Sequence, residues 1–462
     1  MDVIPARRPL RDGAALAGLT FVLGLVRSGN KSIWFDEAVS ADLASRTMRG
    51  LLPEITGRDP NMAFYYLLLN IWRRLFGDGE VALRSLSALA AAGAVGALYV
   101  LGTHLFGRRT GLFAAVLLAC NAFLIEYAQM ARGYTLLTFL VTLSCWRFVV
   151  ELERPSLGGR VVYVLVSALA VYTHYFAALV LVAQFSALLA LRRRFAITPG
   201  RVAVAVTLVA LCVPAVVFAR AGGTARISWI PPLSYLSVPT AIVKLAGRSF
   251  VLAALFGFSV AWATWQLAAS WRLKRDVEGP WRLGFVLAWL VIPFAIAIAV
   301  SFRRPVLLAQ YLIVCLPALC LLTGVALTGL KPARVGTALL ALTVVISAVR
   351  LVELYRTDGL EDWRSTERYL SRAIQPGDRA AFFPRFAGKP YEYYARRNGR
   401  AAGSPWDNAG VDSTRRVWLV IRDSDALRRS DELSRLRAEL GAGRRRTERA
   451  RFPDISVELF ER

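Results

Sequence analysis

Long apolar runs, broken by short charged connectors, fill most of this chain. They lie near residues 14–26, 82–106, 110–125, 134–150, 161–173, 176–191, 202–219, 249–271, 283–301, 306–328 and 334–352. Each approaches the length a helix needs to cross a bilayer, so the pattern predicts about eleven transmembrane helices. Residues 29–80 interrupt the series. There, aromatic and apolar clusters such as Met62 to Trp72 alternate with charges, which suits amphipathic helices lying in the membrane interface. After residue 352 the pattern changes to charges throughout, Pro-Gly and Asn-Gly turns, and short β-like runs at 380–384 and 417–421. Helical patterns recur at about 361–374 and 425–440. The division expected is therefore a membrane domain over 1–352 and a small α/β domain over 353–462.

Composition agrees with a polytopic membrane protein. The chain has 462 residues, 56% of them hydrophobic, and a mean hydropathy of +0.46. Its net charge of +25 raises the question of nucleic acid. Residues 1–352 hold 34 basic and 14 acidic residues, against 23 and 18 in the remainder. Most of the excess thus sits between apolar runs, where it signals topology and meets lipid headgroups, and a nucleic-acid partner is not expected. Arg108-Arg109, 154–160, 192–201, 272–282 and 331–334 form a basic set of connectors, and the positive-inside rule puts them in the cytoplasm. The first run then reads as an uncleaved span with its N-terminus inside. An odd number of spans leaves the C-terminal domain outside. Cys120, Cys145, Cys212, Cys315 and Cys320 all fall in apolar segments without metal spacing, as small buried hydrophobes do.

Candidate chemistry gathers on the outer face. Ser32-Ile-Trp-Phe-Asp36-Glu37 directly follows the first apolar run, and two adjacent carboxylates at a membrane boundary more often serve a function than decorate a loop. The simpler account is a solvated loop with a helix start at Asp36. No acidic residue occurs between Arg154 and Arg275 or between Gly279 and Val352. An outer base or metal ligand must therefore come from a short set that includes Asp36, Glu37, Asp59 and Glu126. Arg132, Arg303 and Arg304 are among the few outward cations able to grip phosphate oxygens. Tyr65, Tyr66 and Tyr134 equally suit plain interfacial aromatics, His174 a helix-end hydrogen bond, and Arg132 with Glu126 a structural ion pair.

The ordered set of motifs resembles the GT-C membrane glycosyltransferases. Trp34-Phe-Asp-Glu37 is similar to their acidic motif in the first outer loop, and Asp59-Pro-Asn-Met-Ala-Phe-Tyr-Tyr66 to the following proline-and-tyrosine motif. Leu83-Arg84-Ser85-Leu86-Ser87, Glu126-Tyr-Ala-Gln-Met-Ala-Arg-Gly-Tyr134, Tyr172-Thr-His-Tyr-Phe176 and Arg304-Pro305 through Gln310-Tyr311-Leu312 continue the series. Asp362-Trp363-Arg364 opens the tail in the usual way. The branch resembled is the bacterial one of protein mannosyltransferases and of the aminoarabinose and galacturonic acid transferases. That resemblance implies inverting transfer of a sugar from a polyprenyl-phosphate-sugar to a lipid, glycan or protein acceptor, at the outer face of the bacterial plasma membrane. It implies Asp36 as base, with Glu37 orienting it or holding a cation, and Arg132, Arg303, Arg304 and Tyr311 at the donor phosphate. Asp59, Asn61, Tyr65, Tyr66, Glu126, Tyr134, His174 and Tyr175 would line the substrate. No cofactor follows from the residues; a divalent cation is left open. The competing reading is a transporter or flippase of a lipid-linked sugar, but its usual mark is polar groups near the midplane, whereas here they collect at one face.

Overall fold

The computed structural model describes residues 7–58, 60–192, 194–221, 229–272, 279–357, 359–399, 415–422 and 430–462. A helix occupies each of the eleven apolar runs. Seven of them are long and apolar enough to cross a membrane. Helical geometry is what such runs must adopt in lipid, where each backbone N–H and C=O has to be satisfied within the segment. Leu157–Thr173 and Ala177–Ala190 are apolar but shorter. Glu80–Phe106 packs against Arg7–Leu25, Arg108–Ala119 and Tyr134–Glu153, and Leu316–Gly329 packs against Arg108–Ala119.

Two apolar runs differ from simple spans. The run expected at 110–125 is a pair of helices, Arg108–Ala119 and Ala122–Ala128, bent by 59°. The break is built by Asn121, whose carboxamide oxygen accepts from the N–H groups of Phe123 and Leu124 while its NH2 donates to the Leu245 carbonyl. The run expected at 306–328 begins with a 3-10 turn, Tyr311–Cys315, before the helix Leu316–Gly329. Both irregular stretches border the region where the candidate residues gather.

The first outer loop folds into the helices Phe35–Ser45, Met48–Pro53 and Ala63–Phe76. The last is amphipathic in a particular sense. Tyr65, Tyr66, Leu69 and Asn70 are buried, while Ile71, Leu75 and Phe76 are exposed. Exposed apolar groups on a helix beside membrane spans fit an interfacial position.

The tail carries a four-stranded sheet: β1 (Arg379–Phe383), β2 (Arg416–Arg422), β3 (Arg445–Phe452) and β4 (Ile455–Glu461). The order is β1-β2-β4-β3, with β1 and β2 parallel and the other pairs antiparallel. The runs at 380–384 and 417–421 are β1 and β2. The hairpin of β3 and β4 escaped the pattern, because β3 reads Arg-Arg-Thr-Glu-Arg-Ala-Arg-Phe and most of its residues are exposed. Arg446 and Arg449 of β3 lie near the buried Glu458 of β4, which is paired more closely with Arg437.

Candidate active site

Asp36 and Glu37 stand in the first turn of the helix Phe35–Ser45, where the exposed N–H groups favour negative charge. Successive helical residues point about 100° apart, because 3.6 residues make a turn. The two carboxylates therefore face different surroundings. Glu37 is fully buried and both its oxygens are occupied: Arg84 donates from Nε at 2.8 Å and Nη2 at 2.6 Å, and the Ala131 N–H donates at 2.8 Å. Arg84 spends its remaining donors on the carbonyls of Ser28, Lys31 and Ser32. Glu37 thus holds the Arg84 guanidinium as its cation in this structure. Its geometry is that of a positioning group. Asp36 keeps a side chain 35% exposed and faces the Arg132 guanidinium at 3.8 Å.

Arg132 is gathered in by several elements. Its Nη1 reaches the Asp36 carbonyl at 3.4 Å, Ser40 Oγ at 3.5 Å and the Tyr66 hydroxyl at 3.3 Å. Its backbone is pinned as well, since Ser87 Oγ donates to the Arg132 carbonyl and bonds the Tyr65 hydroxyl. The guanidinium lies 5.9 Å from the centre of the Tyr134 ring. Tyr134 and Tyr311 flank His174, with ring centres 6.0 and 4.7 Å from the imidazole. His174 Nδ1 accepts from the Phe176 N–H, and its Nε2 is buried with no partner among the described residues. Burial, with Arg132 nearby, pushes the imidazole down to about 3, so the ring is neutral. Asn61 Oδ1 accepts from the Tyr175 N–H at 3.4 Å, which ties the first loop to the same connector.

One group therefore forms from Asp36, Tyr66, Arg132, Tyr134, His174 and Tyr311, with Tyr65, Asn61 and Tyr175 supporting it. Glu126 stands apart from it. Its carboxylate takes two hydrogen bonds from Arg248, at 2.9 and 2.7 Å, which makes Arg248 its ion-pair partner among the described residues. Glu126 and Arg248 instead line a cleft of about 340 Å³ together with Lys31, Trp34 and Gln129. Arg303 and Arg304 are exposed in a turn, and among the described residues no side-chain hydrogen bond or ion pair joins either to the site. Asp59 lies outside the described residues. Nor do the described residues contain a cluster of three metal-ligating side chains.

Three contributors escaped the sequence reading. Arg84 was visible as a motif residue, but nothing in the chain told which carboxylate it would meet. Arg364 was likewise seen only as part of Asp362-Trp363-Arg364. Tyr394, in the helix Gly388–Arg397, carried no signal at all; its hydroxyl accepts from the Ile33 N–H at 2.8 Å.

Comparison with known proteins points in one direction. Residues 59–218 match the family described as dolichyl-phosphate-mannose-protein mannosyltransferase. No curated protein matches the chain in sequence. Among solved structures, ArnT from Cupriavidus metallidurans bound to undecaprenyl phosphate superposes with a TM-score of 0.61 at 13% identity, over 96% of this chain and 97% of that one. Its apo form gives 0.60 at 15% identity, with the same coverage. The oligosaccharyltransferase AglB from Archaeoglobus fulgidus, in complex with an inhibitory peptide and a dolichol-phosphate, gives 0.53 at 11% identity, over 88% of this chain and 69% of that one. The chain shares the fold of these structures, with a small sheet domain at the C-terminal end.

Proposed function

We propose that this chain is a GT-C membrane glycosyltransferase that moves one sugar from a polyprenyl-phosphate-sugar to a hydroxyl of a lipid, glycan or protein acceptor at the outer face of the plasma membrane. The observation that carries the reading is the pairing of Asp36 with Arg132. A partly open carboxylate and a guanidinium held by several elements meet at the start of the first loop. The undecaprenyl phosphate of the ArnT structure and the dolichol-phosphate of the AglB structure support a lipid phosphate as the leaving group.

The chemistry needs two things at once. An acceptor must lose a proton as its lone pair attacks the anomeric carbon, and the bond from that carbon to the phosphate oxygen must break. Asp36 is placed to take the proton, as a carboxylate does in general base catalysis. Attack opposite the leaving group inverts the anomeric carbon. The phosphate departs with the bonding electron pair, and Arg132 meets the charge it gains. The contact of Arg132 with Asp36 is long, so a phosphate oxygen can compete for its donors. Glu37, fixed by Arg84, holds the helix turn that presents Asp36. Tyr134, His174 and Tyr311 would face the sugar, since aromatic faces and a neutral imidazole suit an uncharged ring.

The test has two arms. Glycolipids and glycans of a deletion strain are compared by mass spectrometry, and the purified chain in lipid discs is given a polyprenyl-phosphate-sugar. Loss of one sugar mass in the strain, with transfer in the discs, is expected. Movement of an intact lipid-linked sugar across the bilayer without release of polyprenyl phosphate would replace this reading by the transporter one.

A further inference from the structure

The segment Gly29–Ile33 joins the first helix to the helix that carries Asp36. Its polar contacts come to a large extent from the C-terminal domain. Arg364 Nη2 donates to the Gly29 carbonyl at 2.8 Å and the Lys31 carbonyl at 3.3 Å, and Nη1 to the Asn30 carbonyl at 3.4 Å. The Arg364 N–H donates to Ser32 Oγ at 3.1 Å. Tyr394 receives the buried Ile33 N–H, bonds Ser32 Oγ at 3.2 Å and donates its own proton to Glu80 at 3.1 Å. Glu80 also binds Arg364 at 2.9 Å and Arg397 at 2.7 Å. Burial, reinforced by Glu80, raises Tyr394 above its ordinary value, so the phenol keeps the proton it donates.

The grip extends into the helix itself. Phe35 packs against Phe386 with ring centres 4.8 Å apart and planes tilted by 52°, and the Arg422 guanidinium lies 5.8 Å from the centre of the Phe35 ring. Lys389 and Arg396 reach Asp42, six residues after Asp36, at 3.6 and 3.5 Å. Asp36 thus stands between a neighbour held by the C-terminal domain, Phe35, and one held by the membrane helices, Glu37. Its position depends on both bodies.

We infer that the C-terminal domain is a working part of the active site, with Tyr394 and Arg364 as positioning residues that set where Asp36 stands. The inference rests on the reading of Asp36 as base. It follows from the cost of misplacement: a shift of about 1 Å in a reacting group can lower a rate about 10²-fold. Tyr394→Phe removes the acceptor of the buried Ile33 N–H while keeping the ring. Arg364→Lys keeps the charge facing Glu80 but loses the fork that spans three carbonyls.

Both variants are made in the full-length chain, with Arg445→Ala on the exposed strand β3 as control. Turnover of polyprenyl-phosphate-sugar, thermal melting, and amide hydrogen exchange over residues 29–40 are measured. The expected result is a loss of about 10- to 100-fold in kcat, in the range that small misplacements produce. Donor KM stays close to wild type, exchange over 29–40 rises, and the control matches wild type. Unchanged kcat overturns the inference. So does a loss of activity that vanishes when rates are normalised to folded protein, since that marks a purely structural role. If the wild type turns over no lipid-linked donor, the transferase reading falls by itself. Exchange over 29–40 then decides the tether alone, and unchanged exchange sinks it.

Discussion

Asp36 and Glu37 are neighbours in sequence and opposites in setting. Asp36→Asn keeps the size of the side chain and removes its charge, so transfer should fall about 10²–10⁴-fold, the usual cost of a lost general base, with melting temperature unchanged. Retention of more than a tenth of the wild-type rate in a purified assay would reject Asp36 as the base. Arg132→Ala should depress donor use strongly, and Arg132→Lys should restore little, because an ammonium cannot reproduce the planar fork. Lys31 offers a pH test at the same scale. Burial pushes its ammonium from 10.5 down to about 8, against the pull of Glu126. Between those values the unfolded chain holds a proton that the folded chain has released. Stability from this group therefore rises with pH across the window and is lowest, and flat, below it. Melting of wild type against Lys31→Met from pH 7 to 10 should show the wild type gaining on the variant; a constant difference would contradict the shift.

At the scale of elements, the site depends on where helices stop. The short helix Ala122–Ala128 stops before Ala131 and Arg132, and Tyr311 opens the 3-10 turn that precedes Leu316, so these residues lie outside the long apolar helices. The bond between the helices Phe35–Ser45 and Glu80–Phe106 is the buried pair of Glu37 and Arg84. Removing one partner of such a pair leaves a charge without compensation and costs about 3–5 kcal/mol. Glu37→Gln should therefore lower the melting temperature and the rate together, unlike Asp36→Asn, which should lower the rate only. Replacing both partners, as Glu37→Leu with Arg84→Leu, should recover much of the lost stability, because two apolar groups leave no orphaned charge. Thermal unfolding in detergent separates these outcomes. A double variant no more stable than Glu37→Gln would mean that the donors from Arg84 to Ser28, Lys31 and Ser32 matter more than the pair itself.

At the scale of the whole molecule, the C-terminal domain touches the first outer loop through Glu80, Asp42, Phe35 and Ile33. Domain and loop must then share one side of the membrane. The positive-inside rule, applied to the basic connectors, predicts that this side is the outer one. A cysteine introduced at Arg372 in a background lacking Cys120, Cys145, Cys212, Cys315 and Cys320 should react with a membrane-impermeant maleimide on intact cells. Reaction only after permeabilisation would place the domain, and with it Asp36, in the cytoplasm.

The chain by itself determined what depends on local pattern. Apolar runs force helices in lipid, so a helix could be read off at each of the eleven runs, although among the described residues only seven are long and apolar enough to cross, and the short apolar β-like runs at 380–384 and 417–421 were enough for β1 and β2. The ordered motifs pointed to the GT-C fold and to Asp36, Arg132, Tyr134, His174 and Tyr311 as candidates. Tertiary structure alone decided which of these meet. A helix turn separates Asp36 from Glu37 by direction, and only packing shows that one side faces Arg84 while the other faces Arg132. Glu126 was read beside Arg132 at the membrane face, yet Glu126 belongs to the helix Ala122–Ala128 and Arg132 lies beyond its end, and the Glu126 carboxylate meets Arg248. Contacts such as Tyr394 with Ile33 join residues 361 positions apart. No local periodicity encodes such a pairing, because it arises only when two separately folded surfaces come to rest against each other.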